Sequence, residues 1–231
     1  MSKTVVIHQP DFLPYIGFFH RFLKSDLWVV LDQVQFVNKG GSWHYRDRIK
    51  TPKGAVWLSI SVQKTEINTP INKVLLSNAV NWKENNLNLI KQNYSKAPYF
   101  KEIFPFVEKL YSNTSERMMD FNLASIDMLT DLFDIRIEKI FASDLNPQGA
   151  KSELLIDILK KAKAEIYFSG VGAKNYMNDE LFRAEGIDVV YQDFIHPVYP
   201  QLHGDFIPYL SSIDLFFNCG IEESRKILRK V

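Results

Sequence analysis

Thr4-Val5-Val6-Ile7, then His8-Gln9-Pro10-Asp11-Phe12-Leu13-Pro14-Tyr15-Ile16-Gly17, then Phe18 to Lys24, then Leu27-Trp28-Val29-Val30-Leu31, closing on Asp32-Gln33-Val34-Gln35: this stretch decides the fold. Its first run is too short and too β-branched for a helix and reads as a buried parallel strand. Pro10 and Pro14 break regular structure in the polar turn that follows. Phe18, Phe19, Phe22 and Leu23 then recur at helical spacing, and Leu27–Leu31 is a second apolar strand. Strand, loop, helix and strand imply a βαβ unit. The polar residues His8-Gln9 and Asp32-Gln35 fall where each strand ends, which is where open α/β sheets place ligands.

The chain beyond this unit extends the same pattern. Trp43–Lys50 and Ala55–Val62, joined by Thr51-Pro52-Lys53-Gly54, read as a β-hairpin. Alternation places Arg46, Arg48 and Lys50 on one face of it. A further strand is expected at Lys73–Leu76. Residues 81–133 carry helical periodicity in three pieces. Ile135–Phe141, Glu165–Phe168 and Ile187–Tyr191 read as strands. Lys151–Ala162, with Ser152 as its cap, and Leu181–Glu185, ended by Gly186, read as helices. Residues 194–208 are irregular, and Leu210–Phe217 and Glu222–Leu228 close the chain as helices. The expected fold is therefore α/β: a Rossmann-like parallel sheet flanked by helices, with a β-hairpin and a helical insertion at about 80–133. Without a visible linker, residues 1–231 are read as one domain.

Composition bounds the rest. With 46% hydrophobic and 24% charged residues, 231 residues support a sizeable core. A formal charge of +1 favours neither a nucleic-acid nor a membrane partner. The lone cysteine, Cys219, excludes an internal disulfide and a multi-cysteine metal site. The N-terminal run is cut by His8, too short for a signal region, and no stretch approaches the roughly 18 apolar residues of a membrane span. The expectation is a cytoplasmic protein without a metal.

Several residues carry chemistry or packing, and the pattern leaves both open. His8 after the first strand fits an acid/base or phosphate-binding role, or a ring bonded into its loop. His20, among phenylalanines, fits packing at least as well. Arg46, Arg48 and Lys50 suit a phosphate or carboxylate clamp, or a solvated strand face. Ser169-Gly170-Val171-Gly172 after a strand permits close approach of an anion, with Lys174 adding charge, but matches no full nucleotide-binding signature. Asp214 after Ser211-Ser212 is either a site residue or a helix cap.

The motifs taken together resemble the WbqC-like family. They are His8-Gln9-Pro10-x-x-Leu13-Pro14-Tyr15-x-Gly17-Phe18-Phe19, Leu31-Asp32-x-Val34-Gln35-Phe36, Trp43-x-x-Arg46-x-Arg48-Ile49-Lys50 and Trp57-Leu58. Later come Ser95-Lys96-Ala97-Pro98-Tyr99, Ala142-Ser143-Asp144-Leu145 and Tyr167-x-Ser169-Gly170-x-Gly172-Ala173-x-x-Tyr176. His196-Pro197-x-Tyr199-Pro200-Gln201 and Ser212-Ile213-Asp214-Leu215-x-x-Asn218-x-Gly220 complete a match over essentially the whole chain. Asp47 departs from it, standing where the resemblance leads one to expect asparagine between the arginines. The resemblance implies a role in bacterial surface-polysaccharide (O-antigen) biosynthesis, modifying an activated sugar or another amine-bearing metabolite. A looser, fold-level likeness is to nucleotidyltransferase-like enzymes such as pantothenate synthetase. Their His-x-Gly-His motif lacks its second histidine here, because Phe18 follows Gly17.

These expectations combine into a transferase that moves an acyl or aminoacyl group to an amino group of a nucleotide-linked sugar or similar metabolite. His8 and Asp32 are its catalytic candidates. Gln9, Asp32 and Gln35 are expected to hold the acceptor, and Tyr15 to contact the substrate. Trp43, Arg46, Arg48, Ser169, Gly170, Gly172, Lys174, Tyr176, His196 and Gln201 complete the expected substrate contacts. The rivals are an ATP-dependent adenylating, amide-forming enzyme and a non-catalytic nucleotide-sugar binding module. The cofactor is unknown, and a homodimer is left open.

Overall fold

The computed structural model describes residues 2–37, 42–175 and 177–231. Strand β1 (Thr4–His8) leads through a loop to helix α1 (Ile16–Leu23) and strand β2 (Leu27–Val30). An antiparallel hairpin of β3 (Arg46–Thr51) and β4 (Gly54–Ser59) follows, then α2 (Trp82–Tyr94), α3 (Phe100–Tyr111) and α4 (Met118–Phe133). β5 (Glu138–Phe141), α5 (Ser152–Lys161), β6 (Ile166–Ser169), α6 (Asp179–Ala184), β7 (Asp188–Tyr191) and α7 (Ser212–Arg229) complete the chain. The central sheet runs β5-β2-β1-β6-β7, every pair parallel. The expected α/β architecture, with its flanking helices and hairpin, is the observed one.

Strand alternation explains why this sheet is buried on both faces. Val6, Trp28 and Val30 point into the larger core, with Phe18, Phe19 and Phe22 of α1 and side chains of α2, α3, α4 and α7. Val5, Ile7, Leu27 and Val29 point the other way, onto Ile158 and Leu159 of α5 and Phe182 of α6. Burying each such side chain is worth about 1.5–3 kcal/mol relative to leaving it in water. The hydrophobic runs that look continuous in sequence are therefore two interleaved sets, one per layer.

The strand order fixes where a crevice opens. The chain builds outward from β1 to β2 and β5, then returns to the other side of β1 for β6 and β7. The switch lies between β1 and β6. Their pairing stops at Val5–Tyr167, although β1 continues to His8 and β6 to Ser169. The two strand ends are parted, and the polar loops after them face one another.

Two local expectations are corrected. Lys73–Leu76 is no strand: a 3₁₀ turn covers Ile71–Lys73, and only isolated bridges follow, Leu75 to Arg117 and Leu76 to Val62. Ser152 does not cap α5; Lys151 takes that place with φ 52° and no side-chain cap bond. The two expected closing helices are both present, parted within α7 by a kink at the non-helical Gly220.

Candidate functional site

A cleft of about 1150 Å³ occupies the crevice between β1 and β6. Its floor is made by Ile7 and His8 of β1, Tyr167 and Ser169 of β6 and the turn from Gly170 to Ala173. Asp11, Pro14 and Tyr15 form one wall, and Trp43, Asp47, Arg48 and Tyr209 another.

The loop after β1 is held from three directions. The Pro10 carbonyl accepts from Asn122 Nδ2 at 2.8 Å, and the same amide donates to the His44 carbonyl. Leu13, at φ 43°, donates its N–H to Ser125 Oγ. The Pro14 carbonyl accepts from both the N–H and the hydroxyl of Ser212. The prolines cannot donate, so their carbonyls carry the attachment to α4 and α7. Gly17 then makes room for Tyr15, because a Cβ at that position would overlap the tyrosine ring.

His8 is the best-oriented group in the cleft. Its Nδ1 lies 2.8 Å from the Gln9 carbonyl, which only accepts, so Nδ1 carries the proton and Nε2 the lone pair. Asp11 Oδ2 stands 3.7 Å from the same Nδ1. Burial, and then the Arg21 guanidinium, push the ring's pKa down to about 4, so it is neutral near pH 7. Its side chain remains 26% exposed at the cleft. A neutral imidazole whose Nδ1 holds the proton has the Nε2 lone pair with which to accept another.

The two carboxylates are driven apart. Burial raises Asp11, but His8, His44 at 3.2 Å and Arg21 outweigh it, and its pKa is lowered. Asp47 is 2% exposed, and burial pushes its pKa well above the carboxylate range. Its Oδ1 accepts the Arg48 N–H at 2.6 Å. The proton affinity of one acid is thus lowered and that of the other raised beside the same cleft, a common arrangement where proton transfer occurs.

The structure brings together His8, Tyr15, Trp43, Arg48, Ser169, Gly170 and Gly172 from the sequence-derived set. Arg48 donates from Nη2 to the Tyr209 carbonyl. The others lie elsewhere. Asp32 does not line the cleft: its carboxylate accepts from the Ser143 N–H and hydroxyl and from Asn72 Nδ2, tying β2 to the turn after β5. Gln9 contributes its carbonyl to His8. Gln35 is exposed and bridges to Pro70. Arg46 stacks 4.2 Å over Trp57. Lys50 leaves the proposed basic clamp altogether; it is 1% exposed and donates to the Gly204 and Asp205 carbonyls. Lys174 Nζ lies 5.8 Å from the Tyr191 ring centroid. His196 packs among Phe194, Tyr199, Phe206 and Tyr209. Gln201 donates to Asp214, which also accepts from Tyr94 and Tyr199; this buried carboxylate is a structural hub. Tyr176 lies outside the described residues.

Arg21, Asp11, Gln192 and Tyr209 are cleft residues that sequence reasoning did not single out. Only Arg21 left a signal, standing four residues after Gly17 on the same helical face. Phe18, where the nucleotidyltransferase-like motif has its second histidine, is 1% exposed and meets the His8 ring edge-on at 5.0 Å. Among the described residues, no group of three His, Cys, Asp or Glu side chains could hold a metal, and no helix is long and apolar enough to cross a membrane.

Fold and cleft define the class: a doubly wound α/β protein with a cleft at the carboxyl ends of its strands, at the topological switch point. Within that class, the chain belongs to the WbqC-like protein family, whose model matches residues 9–226. An uncharacterized protein of Mycobacterium tuberculosis is 28% identical over 223 residues, 95% of each chain. No solved structure matches.

Proposed function

We propose that this chain is a biosynthetic transferase that moves an acyl or aminoacyl group onto an amino group of a nucleotide-linked sugar or similar small metabolite. The observation that carries the reading is His8, neutral, tautomerically fixed and lining a switch-point cleft. In the reaction, the acceptor nitrogen attacks the acyl carbonyl carbon and a C–N bond forms. His8 Nε2 takes the proton that the nitrogen sheds. The bond to the leaving group breaks, and the Asp47 carboxyl, whose proton affinity burial raises, returns a proton to it. Arg48 and the Ser169–Gly172 turn receive an anionic part of the substrate. The surface-polysaccharide setting rests on the family resemblance alone.

The test uses the purified chain, a panel of nucleotide-linked amino sugars and activated acyl donors, with the mass gain of the acceptor as readout. Wild-type protein is expected to acylate at least one acceptor. His8→Ala should lose about 10²–10⁴ in rate, the usual contribution of a general base, with an unchanged circular dichroism spectrum. Transfer by His8→Ala at the wild-type rate would falsify the assignment.

A further inference from the structure

Arg21 lies on α1, one turn after Gly17, and lines the cleft although only 7% of it is exposed. Its Nε is buried without a hydrogen-bond partner, and it forms no ion pair among the described residues. Its guanidinium carbon stands 5.3 Å from the Phe18 ring centroid. Asp11 is the carboxylate that acts on it, but Asp11 is already engaged by His44 at 3.2 Å and His8 at 3.7 Å. A buried cation that makes no direct ion pair with the one carboxylate near it is expensive, and one cation–π contact does not offset that expense. A purely packing role would be met better by an apolar side chain.

The space beside the fork is shaped for an approaching group. The glycine turn after β6 lies against it: a Cβ on Gly170 would sit 3.2 Å from Arg21 Nη1. The charges nearby add to a positive field. Arg21 and Arg48 are the cations that line the cleft, burial raises the proton affinity of Asp47, and Asp11 is the one carboxylate whose pKa is lowered.

We propose that Arg21 is the receptor for an anionic group of the substrate, a phosphate or carboxylate, at the floor of the cleft between β1 and the turn at Gly170. The planar guanidinium would grip two oxygens of that group at once, in the fork geometry that distinguishes arginine from lysine. The assignment deepens the transferase reading by giving the substrate an anion next to the reacting centre. It rests on that reading for the reaction but not for the binding.

The test is calorimetric titration of the full chain at low ionic strength with pyrophosphate and, separately, malonate. Wild-type protein should bind at least one; pyrophosphate alone marks a phosphate site, malonate alone a carboxylate site. Arg21→Gln should weaken that binding about thirtyfold or more, the loss expected when one partner of a buried charge pair is truncated. Arg21→Lys, which keeps the charge and the stem, should weaken it less. Should Arg21→Gln not fold, the wild-type Nε–H resonance of Arg21, assigned by its loss in Arg21→Lys, should shift on titration. Wild-type protein that binds neither probe, Arg21→Gln that binds as wild type does, or an Nε–H signal unmoved at saturation overturns the proposal. Normal binding by Arg21→Gln alongside lost transfer by His8→Ala removes this inference and leaves the transferase reading. The opposite pair of results does the reverse.

Discussion

At the residue scale, His8 shows how a loop can set a proton affinity. The Gln9 carbonyl selects the tautomer, burial disfavours the charged ring, and Arg21 adds repulsion. A base must be deprotonated to act, so activity is lost only as pH falls through its folded pKa. The pH profile of kcat/KM reports that value for the free enzyme. Its acid limb is therefore expected near pH 4, well below the 6.5 of an ordinary histidine. Removing the guanidinium in Arg21→Gln removes the second cause of the shift and should move the limb upward. A wild-type limb at 6.5, unmoved by Arg21→Gln, would remove His8 from the role of base.

At the scale of elements, α7 joins the cleft to the core through a kink. Gly220 sits at φ 73° and ψ 176°, a region that side chains rarely enter, and a Cβ there would lie 2.6 Å from the Tyr99 ring. Gly220→Ala meets both the backbone penalty and the clash, so it should cost at least about 2 kcal/mol in urea unfolding. A loss below a few tenths would mean that the kink relaxes freely. Elements of this kind were only partly legible in the sequence. The β1–α1–β2 unit could be read because alternation and helical spacing are local signals, as were the two halves of α7. The misread strand at Lys73–Leu76 has β-rich composition, but its partners are single bridges, and pairing is not a local property. The site shows the same limit. His8 and the Ser169–Gly172 turn were visible because they end strands. Asp32 ends a strand too, yet its carboxylate is taken up by Ser143, 111 residues away. Arg21 left one signal, its place four residues after Gly17, but it stands in an amphipathic stripe where a charged residue reads as a solvated face.

At the scale of the whole molecule, the cleft makes opposing demands on folding stability. His8, lowered to about 4, binds fewer protons folded than unfolded between that value and 6.5, so it makes stability fall as pH drops through this window. Asp11, also lowered, adds to the acid-side loss. Asp47 works in the other direction. Burial raises its pKa well above 3.8, so above about pH 4 the folded chain holds a proton that the unfolded chain has released, and stability declines as pH rises. Asp214, raised by burial among its tyrosines, contributes in the same sense. Asp47→Asn isolates one of these terms. The amide keeps an oxygen for the Arg48 N–H and has nothing to titrate. Urea unfolding at pH 5, 6.5 and 8 should show the variant gaining on the wild type as pH rises, with the largest advantage at pH 8. A difference between the two proteins that stays constant across these values would mean that the Asp47 carboxyl titrates normally, and with it would go the proton assigned to the leaving group.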